Sequence, residues 1–272
     1  MQKYYSVLTI AGSDSGAGAG IQADLKTFAA LGCYGTSAIT AVTAQNTLGV
    51  TAVHPLPPAI VSAQIKAVME DITPLAIKIG MVHDAEIAVA IAEILREYKN
   101  IPVIFDPVMA ASTGKGLLEE QAISTLKTTL FPLTTLLTPN LNEASILTKI
   151  QVTTVDRMLI AAKALLQTGC KAVLLKGGHL TGTKLYDVYL HQNGTERIFE
   201  SALITSNNLH GTGCTLSSAI AGYLALGSTL ENAVTEGRSY VYNAILNGTD
   251  VKTGNGQGPL NHFFDPQQLK TR

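Results

Sequence analysis

Val7-Leu-Thr-Ile-Ala-Gly-Ser-Asp-Ser-Gly-Ala-Gly-Ala-Gly-Ile-Gln-Ala-Asp-Leu-Lys-Thr-Phe-Ala-Ala-Leu31 is the stretch that decides the fold class. Residues 7–11 carry no charge and predict a buried strand, whereas residues 21–31 have the longer period of a helix. The glycine-rich residues 12–20 join the two. A strand followed directly by a helix is the repeating unit of parallel sheets, because a parallel connection has to cross a face of the sheet.

The same alternation continues along the rest of the chain. Further strands are predicted at residues 36–43, 75–79, 103–105, 135–137 and 172–175. Helices are predicted at residues 58–72, 85–98, 119–130, 142–147, 154–168, 212–226 and 230–246. We therefore expect an α/β fold with a mainly parallel central sheet and helices on both faces. Since no repeat, low-complexity run or linker interrupts the pattern, we expect a single domain over residues 1–272.

One late segment departs from this alternation. Residues 186–191 and 197–200 both have the composition of strands, and they flank Gln192-Asn193-Gly194. Asn-Gly is a strong signal for a tight hairpin turn, because both central residues of that turn need positive φ angles. We predict an antiparallel hairpin in the C-terminal half of the sheet. In open parallel sheets, ligands bind beyond the carboxyl ends of the strands.

Composition excludes several classes of partner. The chain has 272 residues, of which 46% are hydrophobic and 14% charged, and its formal net charge is −1. Nucleic acids and membrane surfaces attract strongly basic proteins, so neither is expected as a partner. Cys33, Cys170 and Cys214 are far apart and form no C-x-x-C pair, which argues against a disulfide scaffold or a cysteine zinc site. No signal peptide or membrane span is predicted, so a cytoplasmic location is expected.

The N-terminal glycine loop imitates a dinucleotide-binding motif. Gly18-x-Gly20-x-x-Ala23 fits the spacing, but that motif also needs an acidic residue about 20 residues later to bind the ribose. Residues 25–69 contain no Asp or Glu, and the phosphate loop G-x-x-x-x-G-K-[ST] has no match in the chain. Two interpretations stay open: a tight turn, or the wall of a small-ligand pocket to which Ser13 and Asp14 offer polar groups.

A second glycine-rich segment comes directly before a helix of small residues. In His210-Gly-Thr-Gly-Cys-Thr215, two glycines let the backbone approach a ligand, and the unpaired first-turn N–H groups of the helix favour an anion. A transferring phosphoryl group would suit such a nest. Cys214 lies in the first turn, where the same field is expected to lower its pKa so that it can accept a proton. The alternative is a buried structural cysteine.

Polar residues follow several of the predicted strands. Asp106 follows the strand 103–105, Asn140 and Glu143 follow 135–137, and Lys176 follows 172–175. Carboxylates and phosphates are the oxygen ligands that Mg²⁺ prefers, and a lysine can act as a point charge for phosphates. Helix capping by Asn140 and Glu143 is the alternative for that pair, and a solvated lysine is the alternative for Lys176.

Together these segments resemble the ribokinase superfamily, in its hydroxymethylpyrimidine and phosphomethylpyrimidine kinase branch. A cysteine replaces the aspartate of the superfamily's G-[AT]-G-D loop, as is typical of this branch and of some related pyridoxal kinases. The blocks that carry the resemblance run in family order: Ala11-Gly-Ser-Asp-Ser-Gly-Ala-Gly-Ala-Gly-Ile-Gln-Ala-Asp-Leu-Lys-Thr27, Thr40-Ala-Val-Thr-Ala-Gln-Asn46, Lys78-Ile-Gly-Met81, Asp106-Pro-Val-Met109, Thr138-Pro-Asn-Leu-Asn-Glu-Ala144, Leu175-Lys-Gly-Gly-His179 and His210-Gly-Thr-Gly-Cys-Thr-Leu-Ser217.

The resemblance implies ATP-dependent phosphorylation of 4-amino-5-hydroxymethyl-2-methylpyrimidine, and then of its monophosphate, in thiamine biosynthesis. It implies Mg²⁺ and ATP, a ribokinase-like fold and a homodimer. The residues that it points to are, for catalysis, Gly211, Thr212, Gly213 and Cys214; for the substrate, Gly12, Asp14, Val42, Gln45, Met81 and Val108; for ATP, Asn140, Lys176, Gly178 and His210; and for the metal, Asp106 and Glu143. The segments after His179 and after Cys214 are expected to border the adenine.

Gln45 separates the two substrates that this branch suggests. A carboxamide offers a donor and an acceptor side by side, which matches the edge of an aminopyrimidine. The alternative from the residue alone is a glutamine bonded to loop backbone. In the resembled pyrimidine kinases this glutamine binds the pyrimidine, and in many pyridoxal kinases the position differs. We therefore favour the pyrimidine, and a pyridoxine, pyridoxal or pyridoxamine kinase is the alternative.

The implied mechanism makes Cys214 the base that accepts the proton of the hydroxymethyl group. The second transfer starts from a phosphate that is already an anion, so replacing Cys214 should slow the first transfer more. A non-catalytic vitamin-binding protein on the same fold is the other alternative, and it predicts binding without ADP release. Residues 109–116 resemble a phosphate lid, in which Ala111 stands where many relatives have lysine and Lys115 is a candidate substitute.

Overall fold

A single nine-stranded sheet runs through the part of the chain that the computed structural model describes, which is residues 1–109, 120–178 and 184–272. Its strands are β1 Ser6–Asp14, β2 Tyr34–Asn46, β3 Gly49–Pro55, β4 Ala76–Ile79, β5 Val103–Phe105, β6 Leu136–Leu137, β7 Ala172–Lys176, β8 Lys184–His191 and β9 Glu196–Ala202. The helices described are α1 Gly20–Ala30, α2 Pro58–Asp71, α3 Ala85–Leu95, α4 Glu120–Thr129, α5 Leu141–Thr148, α6 Val155–Leu166, α7 Thr212–Ala225 and α8 Leu230–Leu246, with a 3₁₀ turn at Phe131–Leu133.

The strands lie in the order β3-β2-β1-β4-β5-β6-β7-β8-β9. From β2 to β7 all neighbours are parallel, and β8 pairs antiparallel with both β7 and β9. The turn between β8 and β9 has Gly194 at a φ of +93°, whereas the φ of Asn193 is not positive, so the hairpin forms without the tight turn that needs two positive φ angles. The predicted α/β class, the parallel sheet and the late hairpin are confirmed.

A second antiparallel pair lies at the other edge of the sheet, and the sequence analysis missed it. The sequence analysis ends the second strand at residue 43 and predicts no strand before the helix that begins at residue 58. In the structure β2 continues to Asn46 and turns back into β3, with Asn46 paired to Gly49 and Ala41 to Pro55. A glycine and a proline at the ends of an exposed edge strand are loop signals, so the local pattern hides the strand.

Helices cover both faces of the sheet because successive strand residues point to opposite sides. On one face Leu8, Ile10, Ile77 and Ile79 pack with α2 through α6. On the other face Val7, Ala76 and Ile104 pack with α1, α7 and α8, and the contributing side chains include Phe28, Leu216, Ile220, Val234 and Val241. All nine described strands share this one sheet, and the expectation of a single domain stays a prediction.

Among the described helices, none combines the length and the apolar character needed to cross a bilayer.

His262 makes the stability of the fold depend on pH. Its ring is 3% exposed, and its Nε2 lies 3.0 Å from the Thr215 hydroxyl in α7. Burial, helped by the charge of Lys26, lowers the pKa of His262 from 6.5 to about 4. Because the unfolded chain then binds the proton more tightly, this stability is present above pH 6.5 and is lost as the pH falls toward 4.

We therefore expect the free energy of unfolding of the wild type to fall by about 2 kcal/mol relative to His262→Gln between pH 8 and pH 5. Glutamine can keep the bond to Thr215 but does not titrate, and urea denaturation at several pH values measures the difference. The exposed His54 provides a matched control, since His54→Gln should follow the wild-type curve. Parallel curves for His262→Gln and the wild type would contradict the assignment.

Candidate active site

A cavity of about 980 Å³ opens at the carboxyl ends of the parallel strands, where this class of sheet binds ligands. It is formed by residues in or just after the carboxyl ends of β1, β2, β4, β5, β6 and β7, together with part of β3 and the start of α7. Fifteen of the sixteen predicted site residues line it: Gly12, Asp14, Gln45, Met81, Asp106, Val108, Asn140, Glu143, Lys176, Gly178, His210, Gly211, Thr212, Gly213 and Cys214. Residues that are far apart in the sequence are thus brought together as the sequence analysis expects.

Val42 is the exception, and the prediction that it lines the pocket is wrong. Its side chain is 45% exposed and lies outside the cavity lining. Thr43, one residue further along β2, is buried and lines the cavity, and neighbours in a strand point to opposite faces. The apolar wall is supplied instead by Val50 and Val53 of the edge strand β3.

The start of α7 has the backbone arrangement that the predicted anion nest requires. Gly211 precedes the helix with a φ of +84°, and no side chain caps the first turn. The first-turn N–H groups of a helix have no partner within it. A methyl group at Gly211 would collide with the carbonyl oxygen of Gly18, so only glycine lets the two glycine-rich loops come this close. The Thr212 N–H donates to the Leu209 carbonyl oxygen at 3.3 Å, which leaves the N–H groups of Gly213 and Cys214, both in the cavity lining, available to a ligand.

Cys214 lies in this first turn and is partly buried. Burial, with the charges of Asp24 and Asp106, raises the pKa of its thiol to about 11, although the charge of Lys78 and the N–H of Gly20 act in the opposite direction. The expectation of a lowered pKa is therefore wrong, because the loss of hydration outweighs these opposing contributions. Cys214 is a neutral thiol at pH 7 in the ligand-free chain.

A lysine and a carboxylate lie directly beside the nest. Lys176 Nζ donates to Asp106 Oδ1 at 2.7 Å, and the Thr138 hydroxyl approaches the same oxygen at 3.3 Å. A methyl group on Gly213 would lie 3.1 Å from Lys176 Nζ and 3.2 Å from Asp106 Oδ2. Burial opposes the charge of Lys176, but Asp106 and Glu143 raise its pKa, so it stays a cation. An anion in the nest would therefore meet a positive charge.

Asn140 and Glu143 cap the helix α5. The Asn140 N–H donates to Glu143 Oε2 at 2.8 Å, and the Glu143 N–H donates to Asn140 Oδ1 at 2.9 Å. The alternative interpretation of this pair as a capping box is thus confirmed. Burial raises the pKa of Glu143 to about 7, and the neighbouring Asp106 adds to the rise while Lys176 opposes it.

The oxygen donors of the cavity fit a magnesium ion that keeps most of its waters. Asp106 and Glu143 both line it, and Mg²⁺ is usually bound by one or two carboxylates together with substrate phosphates. Within the described ranges no group of three or more His, Cys, Asp or Glu side chains could hold a metal by itself. The two carboxylates fit Mg²⁺ brought with a nucleotide.

The other end of the cavity is built around Asp14. Its carboxylate accepts the N–H groups of Gly16 and Ala19, both at 2.8 Å, and lies 3.0 Å from the ring Nε2 of His210. Burial raises the pKa of Asp14, but the bonds from His210 and the backbone outweigh it, so the pKa is lowered. The same ring nitrogen of His210 lies 3.0 Å from the amide of Gln45.

His210 is therefore placed differently from its predicted role. The sequence analysis groups it with Asn140 and Lys176 as an ATP-binding residue, whereas the contacts of its ring are with Asp14 and Gln45, on the predicted substrate side. Ser15 joins the same end, because its hydroxyl is bonded to both the N–H and the carbonyl of Gln45. The N-terminal glycine loop is a pocket wall and more than a turn.

Two buried charges below the site escaped the sequence analysis. Asp24 of α1 and Lys78 of β4 are both completely buried and paired at 2.8 Å, and Lys78 lines the cavity. Thr9 and Ser218 donate hydroxyl bonds of 2.6 and 2.7 Å to the same carboxylate. Both residues stand in blocks that carry the family resemblance, but no role was predicted for them, and the local signal is a charged residue inside an apolar run. The pair lies under the nest, since Ser218 is one helical turn after Cys214.

Two other expectations concern residues outside the described ranges. The lid segment, which includes Ala111 and Lys115, falls in 110–119, and the adenine-bordering segment after His179 falls in 179–183.

Gly178, the last described residue before the second gap, lines the cavity. The Gly177 N–H next to it donates to Asp187 Oδ1 at 3.0 Å, and Arg238 of α8 holds the other oxygen of that carboxylate at 2.7 Å.

The sheet with helices on both faces, and the amide nest flanked by a lysine and two carboxylates, define a small-molecule kinase of the ribokinase-like class. The chain belongs to the phosphomethylpyrimidine kinase family, whose model matches residues 14–261.

Relatives of known name agree with this membership. The hydroxymethylpyrimidine/phosphomethylpyrimidine kinase of Rhizobium meliloti is 48% identical over 257 residues, which cover 94% of this chain and 96% of that protein. The thiamine biosynthesis bifunctional protein ThiED of Geobacter sulfurreducens is 47% identical over 98% of this chain, which spans 54% of that longer protein. The predicted family and kinase function in thiamine biosynthesis are confirmed.

Solved structures show that the same fold serves two vitamin kinases. The phosphomethylpyrimidine kinase of Clostridium difficile is 47% identical with a TM-score of 0.79, covering 88% of this chain and 99% of that one. The pyridoxal kinase of Bacillus subtilis, solved with ADP, is 33% identical with a TM-score of 0.86, covering 96% and 98%. The ribokinase-like fold is confirmed. The pyridoxal kinase is a structural relative, because the closer sequence matches are to pyrimidine kinases.

Proposed function

We propose that this cavity transfers the γ-phosphoryl group of ATP first to the hydroxymethyl group of 4-amino-5-hydroxymethyl-2-methylpyrimidine and then to the resulting monophosphate. One observation carries the proposal. Residues 210 to 213 cross the cavity from one end to the other: the His210 ring contacts Asp14 and Gln45, and Gly213 lies against Lys176 and Asp106. A phosphoryl group in the nest would therefore lie between a polar heterocycle site and a phosphate site.

Each group of residues in the cavity would have a role that follows from its position. Gln45 and Asp14, with the apolar Met81 and Val108, would hold the heterocycle, and the nest would hold the group in transfer. Lys176 would neutralise phosphate charge. Asp106 and Glu143 would hold Mg²⁺, which supplies charge neutralisation at the phosphates when it is bound. Asn140 and Gly178 stay predicted nucleotide contacts.

Cys214 would contact the attacking hydroxyl. With a pKa of about 11 its thiolate is scarce at pH 7, so proton acceptance by Cys214 should become more effective as the pH rises. The second transfer starts from a phosphate that is already ionised at pH 7, and it needs no such base.

The proposal is tested by ADP release from a panel of acceptors. The aminopyrimidine alcohol and its monophosphate should both support ADP release, and pyridoxal should be a poorer acceptor. A faster reaction with pyridoxal would favour the alternative of a pyridoxal kinase, the class to which the structural relative from Bacillus subtilis belongs. Binding of the pyrimidine without ADP release would point to a non-catalytic vitamin-binding protein.

Replacing Cys214 by alanine should lower the rate of the first transfer about 100-fold and that of the second less than threefold. In the wild type, kcat/KM for the alcohol should rise with pH between 7 and 9, and in Cys214→Ala this rise should disappear. Single-turnover kinetics with each acceptor measure both effects.

The buried Cys170, which is outside the cavity lining, is a suitable control, and Cys170→Ala should leave both transfers unchanged. Equal losses in the two transfers, or a first transfer that keeps its pH dependence without the thiol, would remove Cys214 from the role of base.

We further propose a homodimer and a cytoplasmic location. The three cysteines are all unpaired, as is usual in a reducing compartment. Val42, Leu48 and Ile60 are exposed apolar side chains on and next to the β2–β3 edge, and such exposure is typical of a contact surface. Sedimentation velocity of the chain and of Leu48→Asp would test the dimer, which the substitution should weaken.

A further inference from the structure

Three side chains at the substrate end of the cavity share one ring nitrogen. His210 Nε2 lies 3.0 Å from Asp14 Oδ2 and also 3.0 Å from the end of the Gln45 amide that is placed as its nitrogen. A ring nitrogen either donates or accepts one hydrogen bond. The two ends of a carboxamide have the same shape, so the hydrogen-bond partners decide which end is the oxygen.

The carboxylate of Asp14 determines whether the Nε2 atom of His210 carries a hydrogen. Its carboxylate is 3% exposed and accepts the N–H groups of Gly16, Gly18 and Ala19. Three backbone donors leave this carboxylate only an acceptor's role, and although burial raises its pKa, the bonds from His210 and the backbone lower that pKa below its usual value, so the group is an anion. His210 Nε2 must therefore carry a hydrogen toward Asp14. If the amide nitrogen of Gln45 were the atom 3.0 Å from this ring nitrogen, two hydrogen-bond donors would face each other.

The Thr43 hydroxyl, on the other side of the Gln45 amide, requires the same orientation of that amide. Its hydroxyl donates to the carbonyl oxygen of Ser13 at 2.9 Å, which uses its only hydrogen. Toward Gln45, at 3.2 Å, the hydroxyl can therefore only accept. Both neighbours require the same arrangement, with the amide oxygen of Gln45 toward His210 and the amide nitrogen toward Thr43.

We propose that His210, held by Asp14, is a specificity-determining residue that fixes the Gln45 carboxamide with its oxygen toward His210 and its nitrogen toward Thr43. This inference rests on the proposed function, since it concerns how that same substrate is recognised. The free lone pair of the amide oxygen then accepts from the amino group of the pyrimidine, and the free amide hydrogen is donated to the adjacent ring nitrogen. The heterocycle is thereby oriented with its amino group on the His210 side.

The packing around His210 supports a fixed ring. The side chain is 10% exposed, and a methyl group at Gly18 would collide with its Cδ2 atom, so the ring lies flush against the glycine loop. The backbone N–H of His210 is bonded to the carbonyl of Gly258 at 3.1 Å. Both the ring and its backbone are thus held, which an orienting residue needs.

Two substitutions separate the hydrogen-bonding role from packing. His210→Phe keeps a ring against Gly18 but removes the donor, whereas His210→Gln keeps a donor that can reach Asp14 and Gln45. The acceptors are 4-amino-5-hydroxymethyl-2-methylpyrimidine and its analogue without the amino group. In His210→Phe we expect the ratio of kcat/KM for the two acceptors to fall at least tenfold, with the KM for ATP unchanged within twofold. His210→Gln should keep most of the ratio, and the exposed His54→Gln should match the wild type.

An unchanged ratio in His210→Phe, or a raised KM for ATP with the ratio intact, would overturn the proposal. His210 would then be assigned to nucleotide binding. A second measurement does not depend on how the variants fold. In wild-type protein with ¹⁵N-labelled histidine, the His210 Nε2 resonance should be that of a protonated nitrogen at pH 8, and a bare nitrogen would also overturn the proposal. If the wild type released no ADP with the pyrimidine, the proposed function would fail, and the resonance would still test the orientation of the amide.

Discussion

Replacing Lys78 by methionine should destabilise the chain by about 3–5 kcal/mol, because the Asp24 carboxylate would stay buried without its cation. Both side chains are completely buried, and Lys78 Nζ lies 2.8 and 2.9 Å from the two oxygens of Asp24. Burial favours a neutral lysine, but the charges of Asp24 and, further off, Asp106 raise the pKa of Lys78, so it is charged. Urea denaturation at pH 7.5 measures the loss.

A double substitution and an exposed lysine provide the controls. Lys78→Met with Asp24→Leu removes both charges together and should be more stable than Lys78→Met alone, because no unpaired charge is left in the core. Lys99→Met, at an exposed position after α3, should change the free energy of unfolding by less than about 0.5 kcal/mol. If Lys78→Met cost under 1 kcal/mol, or if the double variant were the less stable of the two, the buried ion pair would not hold this part of the core.

The buried ion pair of Asp24 and Lys78 also affects the environment of Cys214 in the cavity. Lys78 lines the cavity, and its charge acts against the burial that raises the pKa of Cys214. A folded double variant that lacks both charges would therefore change the environment of the thiol while the nest and the contacts of Gln45 stay in place. Since Lys78 lowers and Asp24 raises the pKa of that thiol, the two losses oppose each other, and the first transfer should change less than it does in Lys78→Met alone.

Much of the fold follows from local patterns in the sequence. The runs at residues 7–11 and 103–105 are apolar and short, and both are strands in the structure. The Asn193-Gly194 turn fixes the hairpin of β8 and β9 because its conformation is a local property. Strand ends also locate the site, since the topology of a parallel sheet brings every carboxyl end to one edge.

Other features depend on contacts that no local pattern contains. Val42 and Thr43 are neighbours of similar size, and only the position of β2 in the sheet decides that Thr43 faces the cavity. The pKa of Cys214 follows from how much protein surrounds the thiol, which the glycine spacing of its loop does not reveal. His210 belongs to the segment of the nest in sequence, but its ring contacts Asp14, 196 residues away.

Replacing Lys176 by methionine should lower kcat about 100- to 1000-fold for both acceptors, the largest loss of activity expected from a single side chain in this cavity. Lys176 Nζ lies 2.7 Å from Asp106 Oδ1 and next to Gly213, so it places a fixed positive charge beside the nest. Charge on the transferring group is common to both transfers, and both should suffer alike. ADP formation in single turnovers at saturating Mg-ATP measures the loss with each acceptor.

The equal loss distinguishes Lys176 from Cys214, whose removal should affect mainly the alcohol. Lys171, exposed just before β7, is the matched control, because Lys171→Met removes a positive charge close in sequence but away from the cavity lining. Lys176→Arg should recover only part of the rate, since a planar guanidinium does not reproduce the compact ammonium beside Gly213. A loss smaller than threefold, or one confined to a single acceptor, would show that the phosphate charge is neutralised by other groups and that Lys176 serves mainly to hold Asp106.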